Sequence, residues 1–406
     1  MIRRSLRPLA TAAFVALFMA GAAPSARAEG VRPEVGKPLQ AASALIKQKK
    51  GREAMAEIAK AEAVPNRTAY ENQVIAQMKA AAASSAGDAD ATIRANESLL
   101  ESGKVSGREA VTLVQSVAVA YYNKKDYANA AKWTQRYFKE GGNDPAMRTV
   151  LLQSYYLGNN CGEVSRMLGP AVEEGNGRRA SEEELQILAN CYLRQNDTAG
   201  YVASIEKLVV MYPKKQYWTD LLARVQKKPG FSDRLAADVY RLRLATGNLN
   251  SPGDYMEFAQ LALQQGVPAE AKSIMDKGYA AGVLGKGAEA ARQQRLRDLI
   301  DKSLADSQAK RAQDEKEALA AKEGGDLVKV GMNYIYEGKV DQGTKLVEQG
   351  LKKGQIRRPE DVKLRLGEAQ LQAGRREQGV KTLREVKDTK DGAADIARLW
   401  VLHARA

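Results

Sequence analysis

The sequence predicts an all-α protein in which helical hairpins stack into a solenoid. Aromatic residues make up only 6% of the 406 residues and alanine is abundant, a composition that favours close helix–helix packing over a thick sheet core. A small or apolar pair, a tyrosine and a second small residue recur at helical spacing, and the tyrosines Tyr121, Tyr155 and Tyr192 lie 34 and 37 residues apart. A unit of that length cannot bury its apolar face alone, so its copies must stack on one another.

The first thirty residues have the pattern of a targeting segment. Three arginines precede an apolar stretch over residues 9–23, and residues 26–28 supply a small-x-small cleavage pattern. The apolar stretch is shorter than the ~20 residues that a spanning helix needs. We therefore expect residues 1–28 to be a cleaved signal peptide that sends the mature chain to a bacterial periplasm. An uncleaved anchor is the alternative.

The mature chain is longer than one compact core usually supports, whereas a solenoid escapes that limit because each hairpin contacts only its neighbours. Apolar-periodic segments alternate with short turns rich in Gly, Asn, Asp and Lys nearly from end to end. The pattern predicts N-terminal hairpins that are a cap or degenerate repeats (29–106), a main array (107–284), a charged long helix or linker (285–324), and a second array with a terminal capping helix (325–406).

The charge balance bears on the choice of partner. The formal net charge is +14, and removal of residues 1–28, which hold four arginines and no acid, leaves +10. A basic secreted protein is attracted to acidic protein tails, lipid headgroups or envelope polysaccharide, although a mild excess of Lys and Arg on helical surfaces explains the balance equally. We do not expect nucleic acid as a partner, because the chain is predicted to be secreted and no dense basic stripe is interleaved with aromatics.

Two cysteines and one histidine limit the chemistry of the chain. In an oxidising compartment Cys161 and Cys191 are candidates for a disulfide. Two buried thiols are the alternative. With His403 as the single histidine, we expect neither a metal site nor a Ser-His-Asp arrangement, and no cofactor. The glycine pairs 141–142 and 324–325 lack the context of a phosphate-binding loop.

A run of acids is explained without catalysis. Glu182, Glu183 and Glu184 follow Ser181, an order that predicts a helix N-cap with acids in the first turn, where they complement the helix dipole. We therefore do not expect the protein to be an enzyme.

The repeated units resemble the tetratricopeptide repeat (TPR) family, whose pattern combines an aromatic, Leu-Gly and Tyr in a first helix with small residues in a second. Trp218 precedes Leu221 and Leu222 at the expected spacing. The matches at the glycine, small-residue and closing-proline positions are Gly331, Gly367, Ala130, Ala271, Gly343, Gly379 and Pro213. Elsewhere the glycine position holds Ala118, Leu152, Ala189 and Leu222.

The resemblance implies a TPR-like superhelix whose first helices line a groove that binds another protein. Mapped onto this chain, the groove positions are Gln115, Tyr122, Asn123, Gln153, Tyr156, Gln186, Asn190, Arg194, Gln226 and Lys227. Amides pair with the backbone of an extended peptide, and tyrosine gives contact area at low entropic cost. Surface amides that serve only solubility are the alternative interpretation.

The stretch 120–145 is similar to periplasmic TPR proteins that accompany TonB/ExbB-type energy-transduction systems. This similarity implies a scaffold that binds an envelope protein or peptide, such as a transducer or an outer-membrane transport component. An adaptor for polysaccharide export or secretion is an alternative of the same class. A peptidoglycan hydrolase built on a helical array is an alternative of a different class. The oligomeric state is left open.

Overall fold

The structure is a computed structural model that describes residues 30–172 and 179–406. The predicted signal peptide therefore lies outside the described residues. The chain divides into two compact units, Met1–Met167 and Leu168–Ala406. Across the described residues the regular structure is helical and contains no strand, which confirms the predicted all-α class. None of the helices among these residues is both long and apolar enough to cross a membrane.

The first unit is a series of antiparallel hairpins in chain order. Each helix packs on the next one along the chain, from the first helix to the seventh. The helices are α1 (Pro33–Lys47), α2 (Gly51–Glu62), α3 (Ala69–Ala86), α4 (Ala89–Glu101), α5 (Gly107–Asn123), α6 (Tyr127–Lys139), α7 (Pro145–Leu157) and α8 (Cys161–Val172), the last of which crosses the boundary between the units.

Local sequence explains where these helices begin. Thr68 and Glu71 form a capping box at the start of α3, which satisfies two backbone N–H groups that the helix leaves free. Asp126 caps α6 through the backbone N–H of Asn129. Pro145 occupies the first position of α7, as its missing N–H predicts.

Short side chains allow the close packing that the sequence predicts. Ala42, Ala54 and Ala61 are fully buried between α1 and α2, together with larger side chains such as Ile58. A small residue at such a position lets two helix backbones approach, and the neighbouring large side chain fills the remaining space. Each buried large side chain contributes about 1.5–3 kcal/mol.

The second unit contains three hairpins, a long helix, two further hairpins and a terminal helix. The helices are α9 (Glu182–Arg194), α10 (Thr198–Met211), α11 (Lys215–Gln226), a 3₁₀ turn (Asp233–Leu235), α12 (Ala236–Ala245), α13 (Pro252–Gln264), α14 (Pro268–Ala280), α15 (Ala290–Ala320), α16 (Gly325–Tyr336), α17 (Val340–Lys353), α18 (Pro359–Gln372), α19 (Arg376–Arg384) and α20 (Ala393–Arg405). The charged segment after residue 285 thus forms the 31-residue helix α15.

Glycines set the close approach of the hairpin α16–α17. A Cβ atom on Gly331 would lie 2.7 Å from the carbonyl oxygen of Gly343, closer than real Cβ contacts. Gly367 and Gly379 face each other in the same way between α18 and α19, with a Cβ on Gly367 placed 3.0 Å from the carbonyl oxygen of Gly379. The glycines that match the TPR pattern are therefore required where two helix backbones touch.

The C-terminal helices of this unit fold back onto its earlier hairpins. Helix α20 packs on α10 and α12 as well as on α18 and α19. Trp400, which is 1% exposed, shares one apolar core with Trp218 of α11 and Leu242 of α12. Helix α20 thus covers early hairpins of the unit as well as the last one.

Ion pairs reinforce this fold-back. Arg234 donates to Asp361 at 2.8 Å and to Asp391 at 2.7 Å, and Lys228 lies 2.8 Å from Asp395. Each of these pairs joins the turn between α11 and α12 to the C-terminal helices or the loop before α20. The second unit is thus closed by contacts between residues more than a hundred positions apart.

The single histidine packs against two tryptophans, and the two cysteines are oxidised. His403 makes edge contacts with Trp218 and Trp400, with ring centroids 5.8 and 5.6 Å away, and burial lowers the pKa of the imidazole below its ordinary value. Cys161 and Cys191 are disulfide-bonded, which confirms the predicted bridge.

Candidate functional site

Two first helices of the first unit, α5 and α7, carry the predicted groove residues on a shared polar face. The Gln115 amide of α5 donates to the carboxylate of Asp144 at 3.1 Å, and Asp144 in turn caps α7 by accepting from the N–H of Ala146 at 2.9 Å. At one end of the face, Asp144 therefore both fixes the Gln115 side chain and caps the N-terminus of α7.

The other end of this face is aromatic. The Tyr122 hydroxyl donates to the Gln153 side-chain oxygen at 2.5 Å, and the Tyr122 ring meets Tyr127 edge-on at 5.9 Å. Tyr156 is half-buried and Asn123 is exposed. We call Gln115, Tyr122, Asn123, Gln153 and Tyr156 the α5–α7 face. The Tyr122 ring is held by these neighbours, and both tyrosines still present area to solvent.

The second unit has a related polar contact between α9 and α11. The Gln186 amide donates to the Tyr217 hydroxyl at 2.5 Å, and that hydroxyl donates to Glu182 at 2.5 Å. Lys214 donates to Glu182 at 2.5 Å, and the hydrogen bonds from Lys214 and Tyr217 lower the pKa of Glu182. Asn190 donates to the Gln186 carbonyl at 2.9 Å.

The remaining predicted groove residues lie at the ends of these helices. Arg194, Gln226 and Lys227 are exposed. Between α5 and α7 the structure thus pairs Gln115 with Asp144 and Tyr122 with Gln153, and between α9 and α11 it joins Gln186, Tyr217 and Glu182. The groove assignment itself stays a prediction, and several of its amides already have partners within the protein.

Tyr217 was missed by the sequence interpretation although it is central to the α9–α11 arrangement. The signal was present in the spacing, because Gln186 and Tyr217 are 31 residues apart and so are Tyr122 and Gln153. Amide–tyrosine pairs 31 residues apart therefore occur at both of these contacts between successive first helices.

A buried ionic cluster in the second unit had no counterpart in the sequence interpretation. The Arg241 guanidinium, 1% exposed, donates to both oxygens of Glu270 at 2.6 Å. It also donates to Asp238 at 2.6 Å and to the Gln265 oxygen at 2.9 Å. Arg365 of α18 donates to the Asp238 carboxylate from two of its nitrogens, at 3.0 and 3.1 Å. Helices α12, α14 and α18 are thereby joined.

A third carboxylic acid completes the cluster. Glu368 is fully buried, with one oxygen 3.6 Å from Arg241 Nε. Burial, opposed by Arg241 and reinforced by Glu270, holds the pKa of Glu368 well above its usual range. Burial acts in the same direction on Asp238, but Arg365 and Arg241 outweigh it and lower the pKa of that carboxyl. Two guanidiniums therefore face three acidic side chains, and the pKa of one of them, Glu368, is raised.

The cluster positions helices and offers no evident reaction. All four nitrogen-to-acceptor contacts of Arg241 end on groups of the protein. Breaking such a cluster leaves an uncompensated buried charge. Within the described ranges no group of three or more His, Cys, Asp or Glu side chains is arranged to hold a metal ion.

Comparison with models of protein families finds none that matches this chain, and comparison with curated proteins finds no match either. Among solved structures, the crystal structure of the yeast Tom70 is similar over 91% of this chain and 95% of its own, at 11% identity and a TM-score of 0.26. So low a TM-score supports no argument about function, and the fold described above rests on the helix packing itself.

Proposed function

We propose that this protein is a non-enzymatic periplasmic scaffold that binds another envelope protein through the α5–α7 face. The observation that carries the proposal is the pair of half-buried tyrosines, Tyr122 and Tyr156, on neighbouring first helices beside exposed Asn123. Tyrosine supplies large contact area with few rotatable bonds. A face of this kind suits an extended peptide segment or a helix of a partner.

Preorganisation favours binding at this face. The hydrogen bond between Tyr122 and Gln153 and the edge contact with Tyr127 hold one ring before any partner arrives. Ordering a free side chain at an interface costs about 0.5–1.5 kcal/mol. A ring that is already held avoids part of that cost.

The periplasmic location is supported by the leader-like residues 1–28, and the identity of the partner by the similarity of stretch 120–145. On that basis we propose a component of a TonB/ExbB-type energy-transduction system as the partner. An adaptor role in polysaccharide export or secretion is the competing proposal, and reciprocal pulldown with each candidate partner separates the two.

The test uses the double variant Tyr122→Ala/Tyr156→Ala. Capture of the partner from crosslinked envelopes should fall at least tenfold, while thermal unfolding stays close to that of the unchanged protein. The matched control is Tyr70→Ala, because Tyr70 is 38% exposed and lies on α3 of the same unit. Equal capture by the double variant and the control would remove the α5–α7 face from the proposal.

The non-enzymatic part of the proposal has its own assay. Purified mature protein is incubated with peptidoglycan and the soluble products are separated by mass. We expect none. Products that disappear when exposed glutamates are replaced would establish a hydrolase instead.

A further inference from the structure

A cavity of about 200 Å³ lies between α12, α16 and α18 of the second unit. Its floor is formed by Arg241, which is buried, and its rim includes Lys329 and Gly325, which are exposed. The cavity therefore leads from the surface to the ionic cluster.

The walls combine aliphatic and cationic groups. Val267, Val328, Met332 and Val362 provide the aliphatic part. The charged residues on the lining are Arg241, Lys329 and Arg365, and none of the described residues that line the cavity carries a carboxylate. The lining thus has an apolar wall facing three positive groups.

Three polar groups at the cavity are available to a ligand. The Tyr336 hydroxyl is buried without a hydrogen-bond partner, and a buried hydroxyl left unpaired costs about 1–3 kcal/mol. Among the described residues no carboxylate lies within 4 Å of the Lys329 ammonium group. Arg365 uses two of its three nitrogens on Asp238, which leaves the third.

The balance of charged side chains around the cavity favours a ligand with one negative charge. The guanidiniums of Arg241 and Arg365 are balanced by the carboxylates of Asp238 and Glu270, with which they form ion pairs. Burial holds the pKa of Glu368 well above its usual range, which disfavours the charged form of this carboxyl. The ammonium group at the rim then adds one uncompensated positive charge.

We propose that this cavity binds a small aliphatic monocarboxylate, with the carboxylate between Lys329, the Tyr336 hydroxyl and Arg365 and the chain against the valines. An apolar cavity of about 150 Å³ holds benzene, so this one suits a ligand of roughly eight non-hydrogen atoms. This inference goes beyond the proposed scaffold function and does not depend on it.

The experiment is calorimetric titration of the purified full protein with 4-methylpentanoate, and with 4-methylpentan-1-ol as a neutral probe of similar shape. The acid should bind at millimolar concentration or below, and the alcohol at least tenfold more weakly. Lys329→Gln should weaken binding of the acid about tenfold, because a hydrogen bond to a charged group is lost. The matched control, Lys345→Gln, changes an exposed lysine of α17 and should leave affinity unchanged.

Tyr336→Phe tests the hydroxyl without a risk to folding. The variant removes a group that has no partner in the ligand-free protein, so its thermal stability without ligand should be equal or higher. Its affinity for the acid should fall about three- to tenfold. Equal binding of acid and alcohol, no binding of the acid, or equal affinities of Lys329→Gln and Lys345→Gln would overturn the proposal.

Discussion

Replacing Arg241 by methionine should destabilise the second unit by about 3–5 kcal/mol, the cost of breaking a buried ion pair by removing one partner. Methionine keeps much of the length and apolar bulk of the arginine stem, so lost packing contributes little. The change removes four hydrogen bonds. Asp238 retains Arg365, whereas Glu270 loses the cation with which it is paired.

The loss of stability in Arg241→Met is compared with the loss at an exposed ion pair of the same unit. Arg375 lies 2.9 Å from Asp341, with the two side chains 51% and 77% exposed. Exposed pairs contribute about 0–1 kcal/mol, so Arg375→Met should cost less than about 1 kcal/mol. The two variants remove the same kind of side chain and differ in burial.

The assay is urea unfolding followed by tryptophan fluorescence in a Trp133→Phe background. The two remaining tryptophans, Trp218 and Trp400, both lie in the core of the second unit, so the signal reports that unit alone. A loss below about 1 kcal/mol for Arg241→Met, equal to that of Arg375→Met, would refute the reasoning that the cluster holds α12, α14 and α18 together.

Two further predictions concern single side chains. Because burial raises the pKa of Glu368, the folded protein keeps a proton that the unfolded chain releases above about pH 4.3, and this group lowers the free energy of unfolding as pH rises. The free energy of unfolding of Glu368→Gln, minus that of the unchanged protein, should therefore increase from pH 5 to pH 8 in urea titrations. A difference that stays constant over this range would contradict the prediction. Gly331→Ala should cost about 1–3 kcal/mol by overpacking against Gly343, measured by thermal unfolding, whereas Gly169→Ala, which meets nothing within 4 Å, should be neutral or stabilising.

Local rules account for the elements that the sequence predicted well. Ser181 and Glu184 form the capping box expected from their order, and Pro252 and Pro268 stand in the first turns of α13 and α14. The glycine at position 331 could be identified because only a residue without a side chain fits between two touching backbones. These features depend on neighbours within one hairpin, where periodicity is informative.

Contacts between helices far apart in the chain could not be predicted from these local rules. Asp238 and Arg365 are 127 residues apart, and no repeat pattern links a position on α12 to one on α18. The fold-back of α20 onto α10 buries Trp400 in a core shared with α11 and α12, whereas the sequence pattern predicted only a terminal helix that caps the last apolar face. At the candidate site the residue types could be predicted and the 31-residue spacing of Tyr122 and Gln153 is visible in the sequence, but that spacing alone does not show that the two side chains meet, because this requires the offset between successive hairpins.

The most direct test of the scaffold account is site-specific photo-crosslinking in intact cells. A photoreactive residue is placed at Asn123, exposed on the α5–α7 face, or at Lys132, exposed on α6. We predict one discrete adduct with an envelope protein from position 123, lost in the Tyr122→Ala/Tyr156→Ala background, and no such adduct from position 132. The same adduct from both positions, or an adduct at 123 that survives the double substitution, would contradict it.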